Sequence, residues 1–75
     1  MDINDVVIHV NEALDIQARH DLEDRIRSID GVIAPRFNDH RPHLMIVAYN
    51  PEHTRAGDLL NEVRRQGYQA QHCGA

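Results

Sequence analysis

The chain is poor in cysteine, aromatics, net basic charge and long apolar runs, and each shortage excludes something. One cysteine, Cys73, stands among 75 residues. No internal disulfide can form, and small secreted domains commonly need them. A reducing compartment, most simply the cytoplasm, is therefore expected. Phe37, Tyr49 and Tyr68 are the only aromatics, too few for a base-stacking platform. The formal charge is −4, with both signs interspersed, whereas nucleic-acid binding leaves a basic stripe. Leu44 to Tyr49, the longest apolar run, is far too short to span a bilayer. Met1-Asp2-Ile3-Asn4-Asp5 has neither a basic n-region nor an apolar h-region, so no signal peptide is expected. There is no Gly-rich phosphate loop. No Ser/His/Asp or Cys/His nucleophile arrangement is apparent, since Cys73 lies in the terminal segment. The chain is not expected to be an enzyme.

What the chain does have is histidine, six in all. Imidazole is the commonest metal ligand and titrates near neutrality, although surface histidines also accumulate without purpose. The length suits one domain over residues 1–75, burying only about 60% of its unfolded surface.

Alternation predicts a strand over Asp5 to Val10, with Val6, Ile8 and Val10 on one face and Val7 and His9 on the other. Asp15 is placed to N-cap a helix in which Ala18, Leu22, Ile26 and Ile29 recur at helical spacing. Asp21–Arg25 and Glu23–Arg27 are spaced as i,i+4 ion pairs, and Gly31 is expected to end the helix. Val32 to Phe37 reads as an edge strand, because Pro35 has no N–H for a ladder. Asn38 to Pro42 reads as a hairpin loop and His43 to Tyr49 as a central apolar strand. Thr54 is expected to cap a second helix with Ala56, Leu60 and Val63 on its buried stripe. Asp58 near its start and Arg64 and Arg65 in its last turn suit the helix dipole, and Gly67 stops it. Tyr68 to Cys73 is a short final strand.

The order is βαββαβ, and Asp21-Leu22-x3-Ile26-Arg27 before Gly31 matches Asp58-Leu59-x3-Val63-Arg64 before Gly67. Two interlocked βαβ halves make an α+β, ferredoxin-like sandwich. Its four-stranded antiparallel sheet has the order 4-1-3-2, with two helices on one face.

This topology predicts two clusters. At one end Glu12, Asp15, His40 and His43 are expected to gather, a mixed imidazole and carboxylate set suited to zinc, nickel or iron(II). The plainer reading is a capping Asp15 beside a solvated hairpin. At the other end His53, His72 and Cys73 could bind copper(I) or zinc, the plainer reading being a frayed terminus. His9 reads as a partly exposed residue on the open sheet face, and His20 as solvated.

Over about Val6 to Ala70 the chain resembles the heavy-metal-associated domain, the fold of small copper chaperones and of N-terminal modules of metal-pumping ATPases. The resemblance rests on three stretches. These are Leu22-x3-Ile26-x2-Ile29-x-Gly31-Val32, the segment Val47-Ala48-Tyr49-Asn50-Pro51-Glu52-His53-Thr54, and Leu60-x2-Val63-x3-Gly67-Tyr68-x-Ala70. That family holds soft metals through M-x-C-x-x-C in its first loop. Here the two cysteine positions fall on Asp15 and Ala18, and the methionine on Ala13, so the thiolates are missing.

Two functions follow. One is binding or trafficking of a divalent transition metal, such as zinc or nickel, through a non-cysteine set led by Asp15 and His43 and completed by Glu12 or His40. The other is a metal-free interaction module. Leu44, Ile46 and Ala48 are expected on the open sheet face beside Val7, an apolar patch suited to a protein partner or a homodimer.

Overall fold

The computed structural model describes residues 2–73. Its elements run β1 (Asn4–Val10), α1 (Ile16–Arg27), β2 (Val32–Phe37), β3 (Leu44–Tyr49), α2 (Ala56–Arg65) and β4 (Ala70–His72). The sheet order is β2-β3-β1-β4 and every pairing is antiparallel. This is the expected 4-1-3-2 order read from the other edge.

Period two decides which side chains enter the core. In β1, Ile8 and Val10 are fully buried; in β3, Met45 and Val47 are, and Tyr49 is nearly so. They meet Leu22 and Ile26 of α1 and Leu59, Leu60 and Val63 of α2 in one cluster. Burying a side chain of this size contributes about 1.5–3 kcal/mol, and this layer is the main source of stability. The alternate residues face away from the helices. Val7 lies opposite Ile46, and His9 opposite Leu44.

The free edge of β2 is closed to strand addition. Pro35 supplies no N–H, and the N–H of Phe37 donates to Glu23 Oε2 at 2.8 Å. Such devices are how proteins blunt sheet edges. The same bond removes Glu23 from its expected partner, and Arg27 instead meets Asp24 at 2.6 Å. Asp21 likewise accepts from Gln17 Nε2 rather than pairing with Arg25. For Glu23, a part-buried backbone donor outcompetes an exposed ion pair worth a few tenths of a kcal/mol.

Both helix boundaries differ from expectation. α1 ends at Arg27, with Ser28 as C-cap and its hydroxyl donating to the Arg25 carbonyl. Gly31 lies beyond, in a turn closed by Val32 N–H on Ile29 O. Its φ is +96°, and a Cβ there would sit 2.8 Å from His53 Cβ, so the position needs glycine twice over. The N-cap of α2 is Arg55, which makes no side-chain cap bond. Thr54 is buried, and its N–H donates to Asn50 O. It packs against the Gly31 turn and so is withdrawn from the cap position.

Candidate metal-binding end of the sandwich

The C-terminal end of β1 meets three loops: its own link to α1, the β2–β3 hairpin, and the segment leading into β4. Backbone bonds draw them together. Val10 N–H donates to His43 O and Asn11 N–H to Gln69 O, each at 2.8 Å.

The two carboxylates expected as ligands already serve the backbone. Asp15 is the N-cap of α1, its Oδ1 accepting from Ala18 N–H at 2.8 Å. Glu12 receives Gln69 N–H on both oxygens, each at 3.0 Å, which ties the first loop to the approach of β4. Both contacts have a local cause. A free amide at a helix start and another before an edge strand seek an acceptor, and a nearby carboxylate is the strongest on offer.

The imidazoles are placed differently. The hairpin is shaped by Asn38 Oδ1, which accepts from the N–H groups of His40 and Arg41. This leaves His40 exposed at the tip. His43 is half-buried, with Nδ1 2.8 Å from Val10 O. A carbonyl only accepts, so the His43 proton resides on Nδ1 and the neutral ring offers a lone pair at Nε2. The His43 ring lies beside that of His9, with centroids 5.6 Å apart and planes 14° from parallel. His9 Nδ1 is 3.1 Å from Asn11 Oδ1 and 3.0 Å from Gln71 Nε2.

The structure therefore divides the four expected residues. His43 has an oriented free nitrogen, Asp15 retains one oxygen, Glu12 has both oxygens engaged, and His40 stands on the exposed tip. Among the described residues, no three His, Cys, Asp or Glu side chains are gathered closely enough to hold an ion. At the opposite end, the same holds for His53, His72 and Cys73. His72 Nε2 lies 3.3 Å from Ala56 O, and Cys73 is exposed.

From sequence, His9 reads only as a partly exposed residue of the open face. The register sets His9 opposite Leu44, so strict alternation would put His43 on the other face; His43 stands in the turn before β3, and its ring stacks on His9 there.

No sequence-family model and no curated relative matches the chain. Solved structures do. Oxidized MerP from Ralstonia metallidurans CH34 superposes with a TM-score of 0.85 at 14% identity, over 97% of this chain and 100% of that one. The N-terminal domain of a potential copper-translocating P-type ATPase from Bacillus subtilis, solved in its Cu(I)-loaded state, gives 0.85 at 22% identity, over 96% and 89%. A copper-binding domain from HMA7, a P-type ATPase, gives 0.83 at 14%, over 93% of each. The fold is that of the heavy-metal-associated domain. The likeness covers nearly the whole chain and at these identities concerns the backbone.

Within the heavy-metal-associated fold, the first loop of this chain departs from a soft-metal site. Copper(I) selects thiolate and thioether ligands. The loop presents Ala13, Asp15 and Ala18 where the resemblance places methionine and two cysteines, and the only free cysteine among the described residues, Cys73, follows β4. A copper(I) ion does not fit this donor set. No helix is long and apolar enough to cross a membrane among the described residues.

Proposed function

We propose that this chain is a metal-binding domain of the heavy-metal-associated fold that takes a divalent transition ion such as zinc or nickel through imidazole, in place of copper(I) through thiolates. One observation carries the reading: His43 holds its Nδ1 proton on the Val10 carbonyl and leaves Nε2 free. Metal-ligating histidines are held in this way, the second nitrogen tied to a carbonyl so that the tautomer and ring direction are set. Solved neighbours described as a copper-binding domain and as a Cu(I)-loaded domain of a potential copper-translocating ATPase support a binding or trafficking role. Asp15, whose Oδ1 caps α1, Glu12 and His40 join in this reading only by leaving their present positions.

Zinc chloride or nickel chloride in excess should raise the melting temperature by mass action, by about 2.7 kcal/mol of stability at a hundredfold excess over Kd. The gain should fade in acid, since protonated imidazole cannot ligate. A melting curve unmoved by either ion at neutral pH would remove the reading.

A second reading rests on the open sheet face. Ile46 is 42% exposed in the middle of β3, flanked by Leu44, Ala48 and Val7, beside a hollow of about 280 Å3 lined by Ala34 and Arg36. The face suits a protein partner or a second copy of the chain. Sedimentation tests the homodimer: Ile46→Lys should turn a dimer into a folded monomer. A wild-type monomer at millimolar concentration would refute self-association.

A further inference from the structure

We propose that the open sheet face pairs with the same face of a second copy about a two-fold axis lying along β3, so that Arg36 of each copy meets Asp5 of the other. The inference deepens the self-association reading and rests on it.

Both sheet edges are guarded against strand addition, which leaves the face. Pro35 and the Phe37 bond to Glu23 close the β2 edge. At the other edge β4 is only three residues long. Gln69 and Cys73 direct their backbone groups to β1, so Ala70 between them presents its carbonyl outward. There Arg64 Nε donates to it at 3.0 Å.

The register lays out the face in rows. Arg36, Ile46 and Val7 are neighbours across β2, β3 and β1, and Ala34, Ala48 and Asp5 form the next row. Leu44, Ile46 and Ala48 thus make an apolar stripe along β3, with Arg36 on one flank and Asp5 on the other. Both charged residues are exposed. The ion pairs among the described residues are Arg27–Asp24 and Arg65–Glu62, so neither Arg36 nor Asp5 is paired within the chain. Asp39 of the hairpin borders the hollow beside Arg36 without pairing to it. A base and an acid on opposite flanks of an apolar stripe make a pattern complementary to itself, which is what a two-fold interface requires.

The charges also choose the orientation. With the axis across the strands at Ile46, Arg36 would lie on Arg36 of the second copy, and like charges would meet. With the axis along β3 the flanks exchange. β2 of one copy then lies over β1 of the other, and Arg36 arrives one row from Asp5. One row is about 7 Å along a strand, a step that a long guanidinium side chain spans. Symmetry forms two such pairs at the rim, with Ile46 against Ile46 between them.

The test is sedimentation equilibrium of the untagged full chain at physiological salt, for wild type, Asp5→Arg, Arg36→Asp and the double variant carrying both changes. Circular dichroism checks that each is folded. Wild type should be a concentration-dependent dimer. Each single reversal should weaken the dimer at least about tenfold, because it sets like charges together twice. The double variant should return to within about threefold of wild type, since the swapped charges meet again. A wild-type dimer that both single variants leave unchanged, or that the double variant fails to restore, would overturn the orientation while leaving self-association intact. A wild-type monomer at millimolar concentration would overturn both and leave the face to a different protein. Should a variant not fold, wild type decides alone: in a mixed-labelled sample, Ile46 methyls of one copy should show contacts to Ile46 of the other. Intermolecular contacts confined to β2 or β4 residues would overturn the proposal.

Discussion

Two sets of candidate ligands lie side by side at one end of this sandwich, and they have opposite fates. In the first loop, Asp15 and Glu12 are consumed by backbone amides, one at the start of α1 and one ahead of β4. Across the end of β1, His9 and His43 use one nitrogen each to fix their rings and keep the other. A polar side chain near a helix start or a strand end is claimed first by the unpaired backbone groups there. What remains for function is the donor capacity that exceeds this demand. An imidazole with two nitrogens in the ring plane has such a surplus built in.

The largest difference expected from this contrast is in metal choice. The chain should bind copper(I) orders of magnitude more weakly than a two-thiolate site, since soft ligands select that ion. Competition with a copper(I) chelator measures this. Tight one-to-one binding that persists in Cys73→Ser would break the contrast, because the first loop would then hold the ion without thiolates.

Next in size is His43→Gln. It removes the imidazole whose Nδ1 is tied to Val10 O and should lower zinc affinity by at least roughly tenfold, while the circular dichroism spectrum stays that of the folded chain.

Asp15→Ala should do the reverse. Loss of the N-cap should lower stability by about 1 kcal/mol while zinc affinity holds. If zinc affinity fell and stability did not, the carboxylate would be a ligand and the contrast would be inverted. Glu12→Ala should have the smallest effect, somewhat below 1 kcal/mol in urea unfolding, since the bond to Gln69 N–H is exposed to solvent and water can replace it. Exchange of the Gln69 amide should quicken in that variant and stay slow in Asp15→Ala.

The fold was legible because its signals are local. Val6, Ile8 and Val10 alternate, Leu22 and Ile26 recur at helical spacing, and Gly31 and Gly67 both take φ near +96° to +97° after helices of matching pattern. The caps were less legible. Thr54 has the side chain of an N-cap, yet its packing against the Gly31 turn depends on a residue 23 positions earlier. Glu23 reads as half of a helical ion pair, and only the arrival of β2 shows it the Phe37 amide.

For the site, His43 was visible as a hairpin histidine near the first loop. The stacking of His9 against it was not, because alternation says only that His9 points away from the core. His43 stands in the turn before β3, where alternation no longer assigns a face. Asp15 was read both as cap and as ligand. The bond to Ala18 N–H is where the two roles compete.

The most direct measurement is nitrogen and carbon NMR of the labelled chain as zinc is added. The His43 Nε2 resonance should shift toward its metal-bound position, reaching a plateau at one equivalent. The Asp15 and Glu12 carboxyl carbons should stay where they were. Carboxyl carbons that move while His43 Nε2 stays still would contradict an imidazole-led site.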